Sequence, residues 1–316
     1  MILKVADKLS IAVIIPFYNA SRHIISVVDK LPSLISKVYI VDDCSTEPLP
    51  FNTLLNNEKV ELLKTPKNLG VGGATKTGFI KAIEDKIDIV IKVDADGQMD
   101  TTYINELLIP LKTNKAQYAK GNRFRDFKAL KQMPFFRKFG NLMLSFFMKA
   151  ATGYWNNFDP TNGFFAVKTD VLKVLDFSNI SNRFYFETSL LAELYFQGVR
   201  VSDVSMPAIY GDEKSNMKVW KMPFVFMPRL VKTLTRRIIK TYFIYDFNIS
   251  SIYMLIGFPL FFFGVSYGSY TWWYYSSRSI FAPTGTIMLV TLTIIIGFQL
   301  LLQAIHYDIL RAPKSD

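Results

Sequence analysis

The sequence is short of the residues that build disulfides and metal clusters. It has one cysteine, Cys44, and two histidines, His23 and His306. A single cysteine excludes an internal disulfide and fits a reducing compartment for the soluble part. Neither histidine has metal-ligand company, so both read as structural. The opening stretch "MILKVADKLSIAVIIPFYNA" lacks the long apolar core and small-residue cleavage site of a signal peptide. No phosphate loop of the G-x-x-x-x-G-K-[ST] type and no dinucleotide pattern is found. Zinc-finger, RNA-recognition and basic-zipper patterns are missing too. The net charge of +11 therefore points away from nucleic acid and toward an anionic membrane surface or a phosphorylated ligand.

Charge is scarce in one region. From Ser251 to Asp308 the chain is almost uncharged, with two apolar runs, "SIYMLIGFPLFFFGVSYGSYTWW" (251–273) and "FAPTGTIMLVTLTIIIGFQLLLQAI" (281–305). Each exceeds the roughly 20 residues that a helix needs to cross a bilayer, and the short linker makes them an antiparallel hairpin. Trp272, Trp273, Tyr274 and Tyr275 suit an interfacial belt. Arg229, Lys232, Arg236, Arg237 and Lys240 precede the pair and Arg311 and Lys314 follow it, against Arg278 in the linker. That asymmetry predicts cytoplasmic chain ends and a cytoplasmic N-terminal domain. The preceding stretch (219–248) interleaves basic, aromatic and aliphatic residues, as a helix lying among headgroups does.

The first part of the chain alternates strand and helix. "IAVIIP" (11–16), "KVYIVDD" (37–43), "KVELLKT" (59–65) and "IDIVIKVD" (87–94) read as strands, with helical patterns between them. Continuous apolar strands predict a mostly parallel sheet covered on both faces. Ligands then bind beyond the carboxyl ends of the strands, where the polar clusters fall: Pro16 to Asn19, Asp42 to Ser45, Asn68 to Gly70, and Asp94 to Asp96. Paired carboxylates such as Asp94 and Asp96 at a strand end suit a hard divalent cation completed by substrate phosphates. Asp42 or Asp43 can accept hydrogen bonds from a base or ribose, or can cap a turn. The glycines of "NLGVGGA" allow a ligand to approach the backbone closely.

"PFYNA", "VDDCST", "KNLGVGGATKTGF", "VDADGQ", "GNRF", "DPTNGFFAV" and "FETSLLAELYFQGVRVSDVSMP" follow one another along residues 10–218. In this order they resemble the family-2 inverting glycosyltransferases, above all the polyprenyl-phosphate branch with its dolichyl-phosphate mannose synthases and bacterial glucosyl-carrier enzymes. The resemblance implies an α/β, Rossmann-like nucleotide-sugar-binding domain of GT-A type at 1–218, interfacial helices at 219–248 and the hairpin at 249–316. It gives Asp94 and Asp96 to Mg²⁺ or Mn²⁺ on the donor diphosphate, with Gln98 beside them. Pro16, Tyr18, Asn19, Asp42 or Asp43, Asn68 and Gly72 fall to the nucleotide sugar. Arg123, Arg137, Lys214 and Lys218 fall to the acceptor phosphate, Asp159 to a base or orienting role, and Glu187 to orienting a basic residue or sugar hydroxyl. Where many members have Glu after the first Asn, this chain has Ala20.

The expected reaction moves a hexose, with UDP-glucose the expected donor, onto a polyprenyl phosphate with inversion, at the cytoplasmic face of a bacterial inner membrane. Its expected partners are the donor, the lipid acceptor and the bilayer, with a second copy of the chain as a further candidate. A processive polysaccharide synthase would carry Gln-x-x-Arg-Trp and more spans. Transfer to a lipid hydroxyl and a non-catalytic membrane scaffold are the remaining alternatives.

Overall fold

The structure is a computed structural model that describes residues 9–47, 50, 53–54, 56–123, 135–159, 161–207 and 222–314, with backbone alone at 135–141 and 222–225. The chain divides into two compact units, Met1–Leu234 with Pro313–Asp316, and Thr235–Ala312. The boundary expected near residue 218 lies outside the described residues.

In the larger unit the strands are β1 (Ile11–Phe17), β2 (Lys37–Asp42), β3 (Val60–Lys64), β4 (Ile89–Lys92), β5 (Tyr118–Asn122), β6 (Phe165–Lys168) and β7 (Val201–Ser205). They form one sheet in the order β3-β2-β1-β4-β6-β5-β7. Its described helices are α1 (Ile24–Asp29), α2 (Val71–Glu84), α3 (Ile104–Lys112), α4 (Phe135–Thr152), α5 (Thr169–Lys173), α6 (Phe186–Phe196) and the first part of α7 (Met222–Ile239).

Successive strand residues point to opposite faces, so a continuous apolar run feeds two cores at once. Ile11, Val13, Ile15 and Phe17 of β1 join α1 and α3 on one face. Ala12 and Ile14 join α2 and α6 on the other. The parallel sheet expected from the sequence is present, with β6 antiparallel to both β4 and β5. β1 lies between β2 and β4, parallel to each. The chain runs outward from β1 through β2 to β3 and then returns to lay β4 on the other side of β1. This reversal of strand order opens a crevice at the carboxyl ends of β1 and β4.

A smaller cluster in this unit packs Met148 and Ala151 of α4 and Tyr185 against Phe226 and Leu230 of α7. On α4, Leu142, Met143 and Phe146 remain exposed.

The second unit holds α8 (Ile249–Ser277) and α9 (Thr284–Arg311), both long and apolar enough to cross a membrane. Asn248 caps α8 reciprocally with Ser251. The two helices meet where Gly257 faces Leu300, Gly264 faces Ile294 and Gly297 faces the Phe261 backbone. One number rises as the other falls, so they run antiparallel. A Cβ at Gly297 would lie 2.5 Å from the Phe261 nitrogen, which explains the small residue there: bilayer helices gain by close backbone approach.

Candidate active site

The sheet's carboxyl edge is built from tightly turned loops. Each of the first four strands is followed by a residue in the left-handed region: Asn19 (φ 49), Cys44 (φ 59), Gly70 (φ 90) and Gly97 (φ 73). Such turns bring the polar clusters back over the strand ends, and Tyr18 stands there 51% exposed.

Several of the expected nucleotide residues knit this edge together. Asn19 Oδ1 accepts from the backbone of Thr46 (2.9 Å) and Glu47 (3.1 Å), joining the first loop to the second. Asp43 is buried, and its carboxylate accepts from Leu69 N (2.8 Å), Gly70 N (2.6 Å) and Thr65 Oγ1 (2.8 Å). It therefore clamps the third loop. Asn68 Nδ2 donates to the Asp43 carbonyl at 3.3 Å. Asp42 is half-buried, and its Oδ1 takes the Ser45 N–H at 2.9 Å. Gly72 lies where a Cβ would come within 2.4 Å of the Ser181 carbonyl, so its smallness serves packing ahead of α6. Pro16 sits in β1 opposite Val41.

At the end of β4 the acidic motif has an internal partner. Lys92 is 1% exposed, and its ammonium lies 2.7 Å from Asp94 Oδ1 and 3.4 Å from Glu187 Oε1. Strand alternation places Lys92 with Val90 on the face covered by α6, whose first turn carries Glu187. Burial draws the Lys92 pKa down, but the two carboxylates outweigh it and hold the group above its ordinary value. Burial pushes the Glu187 carboxyl up, against the pull of Lys92. Gly163 closes over the cluster: a Cβ there would sit 2.5 Å from Lys92 Nζ and 3.1 Å from Asp94 Oδ2. Two residues past Asp94, Asp96 Oδ1 accepts the Gln98 N–H at 2.9 Å.

Arg123 and Asp159, expected at the acceptor, form one device. Arg123 Nε donates to Asp159 Oδ2 (2.7 Å) and Nη2 to Oδ1 (2.9 Å). Asp159 is buried with φ 52, and Asn162 Nδ2 donates to Oδ2 at 3.3 Å. Both carboxylate oxygens are thus occupied, which suits orientation; a base role would first have to break the pair. A second buried lysine, Lys120, supports this loop by donating to the Phe158 and Asp159 carbonyls and pairing with Asp203 Oδ1 at 3.0 Å. Arg137 belongs to α4, with its side chain outside the described residues, and Lys214 and Lys218 lie outside them altogether.

The donor set of the acidic motif suits a hard cation. Asp94 and Asp96 offer oxygen only, and no group of three or more His, Cys, Asp or Glu side chains among the described residues could enclose a metal. Two carboxylates fit Mg²⁺ or Mn²⁺ when substrate phosphates and water supply the other positions.

Sequence reasoning gave no role to Lys92, Gly163, Lys120 or Asp203. A lysine inside the apolar run "IVIKV" was the available signal, because a charge in a buried strand needs a partner. A cleft of about 350 Å³ beside the third loop is lined by Lys67, Asn68, Arg183 and Arg229. Lys67, Arg183 and Arg229 come from separate segments, and sequence distance hid their convergence.

A seven-stranded, mostly parallel sheet with an acidic motif at the crevice between β1 and β4 defines a nucleotide-binding α/β transferase of GT-A type. Residues 12–176 match the family model "Glycosyl transferase family 2". A Methanococcus voltae protein named UDP-N-acetylglucosamine–dolichyl-phosphate N-acetylglucosaminyltransferase is 33% identical over 221 residues, 65% of this chain and 87% of the relative. Micrococcus luteus undecaprenyl-phosphate mannosyltransferase is 26% identical over 60% of this chain and 80% of its own. Among solved structures, Mycobacterium tuberculosis glucosyl-3-phosphoglycerate synthase, in complex with Mn²⁺, UDP and glucosyl-3-phosphoglycerate, shares the fold with a TM-score of 0.53. That match has 17% identity and covers 72% of this chain and 80% of the other. The chain belongs to glycosyl transferase family 2 and is a glycosyltransferase.

Proposed function

We propose that this enzyme transfers a hexose from a UDP-sugar to a polyprenyl phosphate, with inversion, from the cytoplasmic side of a membrane that α8 and α9 cross. The observation that carries the reading is the acidic motif of Asp94 and Asp96 at the crevice between β1 and β4, in a chain whose relatives are named for dolichyl- and undecaprenyl-phosphate transfer. Glucose is the donor sugar expected from sequence, and the name of the Methanococcus voltae relative supports N-acetylglucosamine as the sugar to test first.

Asp96 and Asp94 would hold Mg²⁺ or Mn²⁺, which when bound neutralises charge on the departing diphosphate. Tyr18 and Pro16 flank the base, and Asp42 is better placed than the fully engaged Asp43 to accept from it. The third loop, held by Asp43, brings Asn68 and the start of α2 toward the donor. A polyprenyl phosphate is largely dianionic at neutral pH, with a second pKa of about 6, so attack needs no base. The chain's task is then to hold one anion near another. Arg123, kept in orientation by Asp159, takes the acceptor phosphate together with Arg137, Lys214 and Lys218, because guanidinium groups make paired bonds to phosphate oxygens. The exposed apolar residues of α4 receive the lipid.

The test uses full-length protein in detergent with undecaprenyl or dolichyl phosphate and a panel of labelled UDP- and GDP-sugars. Label is expected in lipid with UDP-N-acetylglucosamine, to depend on Mg²⁺ or Mn²⁺, and to fall at least about a hundredfold in Asp96→Asn. Lipid label from a GDP-sugar alone would overturn the donor assignment. Absence of lipid label with every donor would overturn the acceptor.

A further inference from the structure

We propose that Lys92 is a resident counter-cation: it keeps the acidic motif from holding a divalent metal unaided, so that the ion enters and leaves together with the nucleotide diphosphate. The inference rests on the metal reading above and assigns a positioning role to a residue that otherwise has none.

Four segments converge on the Lys92 ammonium. β4 supplies the lysine itself, its following loop supplies Asp94 at 2.7 Å, α6 supplies Glu187 at 3.4 Å, and Gly163 closes the top. The lysine is 1% exposed, so water screens its charge less than it would at the surface, and the motif feels a fixed cation 2.7 Å from Asp94 Oδ1. Without it, the two carboxylates of the motif would meet a free hard cation with their negative charge uncompensated and that of Glu187 added nearby. With it, one oxygen of Asp94 is engaged and Glu187 is drawn to the ammonium. A divalent ion approaching alone meets a fixed positive charge beside its ligands. An ion carrying a diphosphate brings enough negative charge to offset that repulsion.

Gly163 gives independent support, since any larger residue would strike the ammonium before touching other side chains: a Cβ there would be 2.5 Å from Nζ. The roof is shaped to leave the lysine head in place. The functional consequence is release of product. A metal bound tightly by the protein would retain the nucleoside diphosphate after transfer, whereas a metal bound mainly through the nucleotide departs with it.

The experiment titrates Mn²⁺ into full-length protein in detergent, following bound ion by electron paramagnetic resonance, without nucleotide and then with UDP or GDP. The wild-type protein is expected to bind Mn²⁺ at least about a hundredfold more tightly with the nucleotide than without it. Lys92→Met should bind Mn²⁺ alone at least about tenfold more tightly than wild type, Lys92→Arg should stay near wild type, and Lys92→Met with Glu187→Gln should fall back toward it. Glu187→Gln by itself should leave Mn²⁺ affinity within about threefold, since Glu187 is no ligand while Lys92 is present. Tight nucleotide-free binding by the wild type would overturn the proposal even if no Lys92 variant folds. So would unchanged affinity in a folded Lys92→Met, or a tenfold loss in Glu187→Gln. Failure to bind Mn²⁺ with either nucleotide would instead overturn the metal reading itself, and this inference with it.

Discussion

The Arg123 guanidinium grips the Asp159 carboxylate with two nitrogens, at 2.7 and 2.9 Å, and so ties the end of β5 to the loop before β6. The pair is asymmetric: Asp159 is fully covered while the Arg123 side chain is 45% exposed. One edge of the guanidinium is thus fixed by Asp159 on a side chain that solvent still reaches. Asp159→Asn should therefore act on acceptor binding more than on the chemical step. We expect KM for polyprenyl phosphate to rise about tenfold with kcat within about threefold, and stability to fall by about 1–3 kcal/mol. Arg123→Lys should weaken the acceptor similarly, since an ammonium cannot make the paired contact. A collapse of kcat with unchanged KM would instead assign Asp159 to the base role.

Asp43 offers a contrasting case. Three donors converge on its buried carboxylate, two of them backbone N–H groups of the third loop. Asp43→Asn turns an amide N–H₂ toward at least one of those donors. We expect a loss of about 2 kcal/mol in stability, read as a lower melting temperature by circular dichroism, with a raised KM for the donor as Asn68 loses its support.

Gly163→Ala tests the roof over Lys92 directly. The new methyl would come within 2.5 Å of Nζ, 3.1 Å of Asp94 Oδ2 and 3.3 Å of Glu187 Oε1. Such overpacking costs about 1–3 kcal/mol and must move the ion cluster. Sugar transfer should fall at least about tenfold while far-ultraviolet circular dichroism stays that of a folded chain.

Strand alternation, the membrane-length helices and the polar strand ends were legible because each depends on local pattern. Ile11–Phe17 reads as a two-faced strand from its own residues, and Asp94-Ala95-Asp96 declares itself by following an apolar run. What stayed hidden depends on contacts across the fold. Asp43 and Asp42 are adjacent and chemically alike, yet only folding turns one toward the third loop's backbone. Lys92 and Glu187 are 95 positions apart, and no local pattern pairs them. The antiparallel β6 was equally unreadable, since "FAVK" carries no mark of strand direction.

The Tyr39 hydroxyl donates to Asp85 Oδ2 at 2.7 Å, and Lys81 pairs with the same carboxylate at 2.9 Å. The tyrosine hydrogen bond, with help from Lys81, holds the Asp85 carboxyl below its ordinary value of 3.8. A carboxylate with a depressed folded-state pKa contributes stability that is fully present above the unfolded value and fades as pH falls through the folded one. Burial and the same carboxylate raise the Tyr39 hydroxyl well above its ordinary value of 10.0, so its contribution is lost only at the alkaline extreme. Asp85→Asn should therefore melt lower than wild type by an amount that is constant from pH 8 to about 5 and shrinks below about 4. A gap that persists unchanged at pH 3 would contradict the pairing.

In the second unit a buried ion pair joins the end of α7 to α9. Arg237, 1% exposed, donates to both oxygens of Asp308 at 2.7 Å, and the Tyr242 hydroxyl donates to Asp308 Oδ1 at 2.5 Å. Tyr242 is held in turn by the π-helical turn Lys240–Tyr245, and its carbonyl accepts from Ser251. Removing one member of such a pair strands the other without water. Asp308→Asn should cost about 3 kcal/mol or more, measured as a lower thermal midpoint in detergent. Replacing both partners with apolar residues of similar size, Arg237→Met with Asp308→Leu, should recover most of the loss, because desolvation offsets much of what a buried pair gains. If the double variant is no more stable than Asp308→Asn, the pair contributes through a route other than charge compensation, and the coupling must be sought in the Tyr242 hydrogen bond.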